Sequence, residues 1–475
     1  MLLLNLHWTI FMSQHRLESD LLGQKEIPAQ AYYGVQTLRA LENFNLSATK
    51  LYHFPLFIKA LAMVKSACAE ANYRTELLPE NKRKAIQFAC NELIQDKYQD
   101  QFQIDMLQGG AGTSTNMNAN EVIANIALEF MGHAKGEYQY LHPNNDVNMS
   151  QSTNDVYPTA IKLGLLLSLE KLTPPFNALV ESLAQKGIEF ANVVKMGRTQ
   201  LQDAVPMTLG QEFSGFSVTL KKDIDKIIDI SSETLCYVNL GGTAIGTGIN
   251  ASEQYKKEAL AALSNITQRP MMTAPHLIEA SSDMGDFVLL SGLLKRTATK
   301  LSKIANDLRL LSSGPRTGIN EINLEPRQPG SSIMPGKVNP VIPEAVNIAC
   351  YQIIANDLAI TLAAESGQLQ LNAMEPLIAL KLFESIDLLE KTVKMFKNYC
   401  IDSVTANASQ CKNFVDNSIG IITALNPYLG YETTTRIAKA ANETGKSIFT
   451  IIEDEKLLSK QSLDDIFSIK NLVNF

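Results

Sequence analysis

Between Gly330 and Pro340 the chain reads Gly-Ser-Ser-Ile-Met-Pro-Gly-Lys-Val-Asn-Pro, which puts two hydroxyls, an ammonium and a carboxamide on a loop bounded by glycines. A loop of this kind can close over an anion. Lys337 can ion-pair with a carboxylate, and Asn339, at the next same-side position of an extended chain, can donate to the same group. Ser331 then stays free to reach a reacting carbon, so the spacing suits a dicarboxylate. A Gly/Pro surface turn draws on the same residue types, so the rest of the chain must decide between them.

Three more clusters concentrate polar groups. Gly109-Gly110-Ala111-Gly112-Thr113-Ser114, followed by Asn116, Met117, Asn118 and Asn120, looks at first like a phosphate loop. It lacks the Gly-Lys-Ser/Thr ending of a P-loop and the spacing of a dinucleotide fingerprint, which argues against nucleotide binding; a helix-entry turn with capping residues is the plain alternative. Ser150-Gln151-Ser152-Thr153-Asn154-Asp155 precedes a strongly apolar helical stretch. One N-cap residue would suffice there, whereas consecutive donors at a helix start make a carboxylate site. The third is Met196-Gly197-Arg198-Thr199-Gln200-Leu201-Gln202-Asp203-Ala204-Val205-Pro206, for which a buried polar turn between two helices is the plain alternative to a binding role.

The elements that must position these residues are mostly helical. Phe176, Leu179, Val180, Leu183, Gly187 and Ile188 draw one apolar stripe, and Pro174-Pro175 predict the first turn of that helix. From Met207 to Arg269 no proline interrupts; Phe213, Phe216, Leu220, Ile224, Ile227 and Ile228 keep the helical period, with Gly241-Gly242 expected to end it. Leu277–Gly314 and Glu344–Glu375 are further long proline-free stretches. Long helices apolar on more than one face imply a bundle that also buries surface between subunits. Residues before about Ser150 are expected to hold short helices among turns, and those after Thr405 a small helical unit punctuated at Asn426-Pro427 and Thr444-Gly445-Lys446.

A chain of 475 residues exceeds what one core usually supports, so two or three domains are expected. With 45% hydrophobic and 19% charged residues it is a globular chain rather than a disordered one. The net charge of -7, with no basic run, argues against a nucleic-acid surface, and an anionic substrate must be captured by local donors. The six scattered cysteines (Cys68, Cys90, Cys236, Cys350, Cys400, Cys411) include no CxxC pair and suit a reducing compartment. Met1–Phe11 is apolar but has no basic n-region or cleavage site and is too short to span a membrane. It is expected to be an upstream start or disordered tail ahead of Met12.

The complete eleven-residue loop resembles the signature of the fumarase/aspartase lyase superfamily, in which the serine after the first glycine removes a proton beside a carboxylate. The resemblance runs from Asp20-Leu21-Leu22-Gly23 and Ala31-Tyr32-Tyr33-Gly34 to Leu463-Asp464-Asp465-Ile466-Phe467. It implies a mostly α, three-domain fold whose central long-helix bundle assembles into a homotetramer, with domains expected at 1–150, 151–405 and 406–475. It also implies the roles. Ser331 is the base; Thr113, Ser152, Thr153 and Ser332 hold the side-chain carboxylate of the substrate; Asn154 joins the carboxylate and amino site; Thr199, Lys337 and Asn339 hold the α-carboxylate; Gln200 lies beside them.

Fumarases typically carry a histidine where this chain has Gln200, paired with a glutamate matching Glu344, so that water is held and deprotonated. A carboxamide takes up no proton at neutral pH. Val341-Ile342-Pro343 also reads like aspartases, and none of the six histidines falls in the segments matching the catalytic ones. The expected reaction is therefore reversible elimination of ammonia from L-aspartate to give fumarate, through an aci-carboxylate, in the cytoplasm. No metal or organic cofactor, nucleic acid or membrane is expected to take part. The alternatives are a class II fumarate hydratase and a non-catalytic structural member of the superfamily. His142 and Asn144 match part of a secondary anion site of fumarases, with Gln139 replacing a basic residue there, so the role of that region stays open.

Overall fold

Among the described residues, five helices have 25 residues or more: Thr153–Glu189, Leu209–Thr234, Gly285–Leu311, Val341–Glu365 and Glu375–Tyr399. The computed structural model describes residues 15–468 and 471; the Met1–Phe11 segment and Met12 lie outside the described residues. Among the described residues strands occur only as two-stranded sheets, of which the longest are the hairpins His15–Asp20/Gly23–Pro28 and Val194–Thr199/Gln202–Thr208.

By packing, the described residues form two compact units, one of residues 15–170, 227–293 and 355–387, the other of 171–226, 294–354 and the described residues from 388 on. In the first, helix Pro55–Arg74 packs against Glu80–Ile94 and Glu253–Thr267, and Glu80–Ile94 against Thr113–Phe130. Its interior is aromatic at one place, where Phe57 stacks on Phe383 with ring centroids 4.9 Å apart and meets Tyr157 at 5.7 Å. In the second unit the C-terminal helices share a hydrophobic cluster with the Val194–Thr208 hairpin: Met196 lies among Val415, Ile421, Leu425, Ile437, Ile448 and Ile452. Buried Asp223 takes Lys300 at 2.6 Å and Arg296 at 2.8 Å, which ties helix Leu209–Thr234 to Gly285–Leu311.

Three expectations about helix limits are corrected. Pro174-Pro175 do not open a helix; they lie inside the 37-residue Thr153–Glu189 helix. Two lost N–H donors weaken a helix, but Leu169, Leu172, Phe176, Leu179 and Leu183 are all buried around them, and that burial outweighs the local loss. Pro158 in the same helix frees the carbonyl of Asn154, which instead accepts from Asn239 Nδ2 at 2.9 Å. The helix after Met207 stops at Thr234 rather than at Gly241-Gly242, because Tyr237–Val238 pairs in parallel with Met272–Thr273. Ahead of Ser150 the helices are not all short, with 20 residues in Pro55–Arg74 and 18 in Thr113–Phe130.

Candidate active site

In the first unit, the expected carboxylate donors sit at two helix starts. Thr113 is the first residue of Thr113–Phe130, entered through Gly112 at φ +84°. Its hydroxyl donates to the Gly110 carbonyl at 2.8 Å, so it closes its own turn and must rotate to serve a ligand. Thr153 is the first residue of Thr153–Glu189. Ser152 Oγ accepts from the Asn154 amide at 3.2 Å, as an N-cap does, and the Ser152 amide donates to Asp155 Oδ1 at 3.0 Å. Asn154 Nδ2 is held by the Ala244 carbonyl at 2.7 Å. Thr153 Oγ1 accepts from Asn116 Nδ2 at 3.0 Å, which joins the Gly109–Asn120 segment to the Ser150–Asp155 segment.

Asp155 is buried beneath this turn. Its Oδ2 accepts from the Gly241 and Thr243 amides, each at 3.0 Å. Burial pushes its carboxyl up to about 6, against the lowering effect of those amides and of Lys65. The neighbouring loop is gripped from below by Lys65 and Asn72, two turns apart on Pro55–Arg74. Lys65 Nζ reaches Asn148 and Gln151, each at 2.9 Å, while Asn72 takes Ser150 Oγ at 2.7 Å and donates to the Met149 carbonyl at 2.9 Å. Neither Lys65 nor Asn148 was among the expected site residues. The available signal was a lysine at the centre of Met63-Val64-Lys65-Ser66-Ala67-Cys68, where an exposed face would carry more polar residues.

In the second unit the Gly330–Pro340 segment is a closed loop. The Gly330 amide donates to the Lys337 carbonyl at 2.7 Å, and Asn339 Nδ2 donates to the Gly330 carbonyl at 2.8 Å. Gly330 is required there: a Cβ would stand 2.7 Å from the Lys337 oxygen. Asn339 thus spends one N–H on the loop base and has its second for a ligand. Ser331 Oγ accepts from the amides of Ile333 at 3.2 Å and Met334 at 3.0 Å. Ser332 and Lys337 are exposed, and Lys337 has no ion-pair partner among the described residues. The loop runs into Val341–Glu365, whose first turn carries half-buried Glu344.

The Met196–Pro206 segment is not a buried turn but a β-hairpin. Gln200 and Leu201 form its tip at φ +54° and +62°, the primed geometry that matches strand twist, here without the usual glycine. Thr199 and Gln200 are therefore exposed at a tip, while the stem is fixed by buried Glu321, which pairs with Lys195 and Arg198 at 2.8 Å each. His142 in the first unit uses Nδ1 to accept from the Asn144 and Asn145 amides, and burial lowers its basicity.

The structure therefore brings Thr153 together with Asn116 and its neighbours, and Ser331 together with Lys337 and Asn339 on one loop; Thr199 and Gln200 stand on a hairpin of the second unit. Three of these segments end at helix N-termini, where exposed amides and the helix dipole favour an anion. Among the described residues no group of three or more His, Cys, Asp or Glu could hold a metal ion.

Comparison with known proteins gives the family. A lyase family model matches residues 23–355 and a fumarase C C-terminus model residues 421–474. Aspartate ammonia-lyase of Pseudomonas aeruginosa is 62% identical over 97% of this chain and 98% of its own length; that of Escherichia coli K12 is 53% identical over 97% and 96%. A cobalt-bound crystal structure of a fumarate lyase:delta crystallin from Brucella melitensis matches with a TM-score of 0.93 at 52% identity, over 97% of this chain and 99% of that one. A class II fumarase from Schistosoma mansoni matches at 0.89 and 35%, over 96% and 98%. The chain belongs to the class II fumarase/aspartase lyase superfamily, in its aspartate ammonia-lyase branch.

Proposed function

We propose that this protein eliminates ammonia from L-aspartate to give fumarate, with Ser331 as the base. The observation that carries the reading is the environment of Ser331 Oγ, which already accepts two backbone amides in a loop bearing an unpaired lysine. Hydrogen bonds to an anion are stronger than to a neutral oxygen, so these amides favour an alkoxide over a hydroxyl. In the proposed reaction Ser331 takes the proton from the carbon beside the side-chain carboxylate, and the electron pair moves onto that carboxylate. Thr113, Ser152, Thr153 and Ser332 hold the resulting aci-carboxylate, while Lys337, Asn339 and Thr199 hold the other end. The carbon–nitrogen bond then breaks, ammonia leaves with the amino nitrogen, and fumarate remains.

Aspartate rather than malate is favoured by Gln200, which cannot act as the proton-accepting partner of Glu344, and by the higher identity to ammonia-lyases than to the Schistosoma fumarase. Fumarate formation, followed by absorbance with L-aspartate and L-malate in parallel, is expected with aspartate; comparable or faster turnover of malate would mean a hydratase, and turnover of neither a non-catalytic member.

The active form in this proposal is a homotetramer with shared sites. Helix Val341–Glu365 is long and apolar enough to cross a bilayer, but its pattern points to helix packing. Ile348 (68% exposed), Tyr351 (55%), Leu358 (62%) and Leu362 (59%), with Ala355 between them, follow steps of three and four along one face, while Val346, Cys350, Ile353 and Ile360 are buried on the other. That spacing is a heptad seam awaiting another helix. A reducing, cytoplasmic setting accords with six buried, unpaired cysteines.

A further inference from the structure

Lys65 has no exposed surface, and its ammonium makes its hydrogen bonds to neutral carboxamides, Asn148 Oδ1 and Gln151 Oε1. Burying a charge in this way is costly. Desolvation lowers the lysine to about 8, with Cys68, Asp155 and Cys90 acting in the opposite sense. A side chain needed only to fill this space would be apolar, so the position calls for what an ammonium supplies: donors and no acceptor.

That property fixes the direction of every hydrogen bond beyond it. An ammonium forces Asn148 to present its oxygen. The same oxygen accepts from Asn116 Nδ2 and Asn120 Nδ2, each at 3.1 Å, so both of those carboxamides must present nitrogen. Asn116 Nδ2 donates in turn to Thr153 Oγ1 at 3.0 Å. The Thr153 oxygen is thereby made an acceptor, and its own proton is directed elsewhere. The orientation is kept against a local cost, because the oxygens of Asn116 and Asn120 are buried without a partner.

We propose that Lys65 is a positioning residue: through Asn148 and Asn116 it holds the Thr153 hydroxyl as a donor toward the substrate carboxylate. The proposal rests on the reading of Thr153 as a carboxylate donor, and its test separates the two. The kcat/KM for L-aspartate is measured for the wild-type protein, Lys65→Met, Thr153→Val and the double variant. Lys65→Met is expected to lower kcat/KM about tenfold, the value of one hydrogen bond to a charged group, and to have no further effect once Thr153 is valine. A purely structural lysine would act equally in both backgrounds, and that result, or wild-type kcat/KM in Lys65→Met, overturns the relay while Thr153 keeps its role. Wild-type kcat/KM in Thr153→Val removes the Thr153 reading and the relay with it. If Lys65→Met does not fold, Asn116→Leu in the same two backgrounds reads the same link.

Discussion

At the scale of single residues, the chemistry turns on an oxygen that is an ordinary turn acceptor until it loses its proton. Two amides on Ser331 Oγ would also stabilise a simple serine turn. The two roles differ in what removal costs. Ser331→Ala is expected to lower kcat by several orders of magnitude while fumarate still binds through Lys337 and the hydroxyl clusters, and thermal unfolding should barely change because the loop is largely exposed. Retention of more than about a tenth of wild-type kcat, a loss of only ~1.4 kcal/mol, would exclude Ser331 as the base.

At the scale of elements, two glycines at positive φ separate stability from catalysis. Gly112, at φ +84°, opens helix Thr113–Phe130, and a Cβ there would lie 2.5 Å from the Tyr157 ring. Gly112→Ala combines left-handed strain with overpacking and should cost about 2–5 kcal/mol, visible as a large drop in Tm. Gly336, at φ +81°, has nothing near its missing Cβ. Gly336→Ala should cost only about 1–2 kcal/mol of local conformational energy, leaving Tm nearly unchanged and acting on kcat/KM through the loop. Equal effects of the two on Tm would contradict this account of how the segments are held.

At the scale of the whole molecule, helix length sets the problem of assembly. The 37-residue Thr153–Glu189 helix extends about 55 Å at 1.5 Å per residue. Thr153 is its first residue, Thr199 follows shortly after its last, and a four-carbon dicarboxylate cannot bridge such a length. In the proposed tetramer, groups from different chains meet at one site. Inactive Ser331→Ala and Thr199→Val tetramers, unfolded together and refolded as hybrids, are expected to regain a fraction of activity, because some sites draw both intact segments from opposite parents. A folded, fully active monomer, or hybrids of confirmed mixed composition without activity, would count against shared sites.

The sequence by itself determined the residue types at the site, the family and the helical character of the chain. Those depend on local spacing: the Gly330–Pro340 string, the consecutive donors at Ser152-Thr153-Asn154 and the three-four periodicity from Phe176 to Leu183 are legible without any fold. Tertiary structure decided the rest, for two physical reasons. Helix limits depend on burial and on distant partners, so Pro174-Pro175 sit inside a helix braced by buried leucines, and the carbonyl freed by Pro158 is satisfied by Asn239 far along the chain. Hydrogen-bond direction depends on neighbours too. Nothing local to Lys65 or Asn148 says that together they turn Asn116 toward Thr153; only the packing of helix Pro55–Arg74 beneath the loop ending at Ser152 brings an ammonium to the one carboxamide that sets the others.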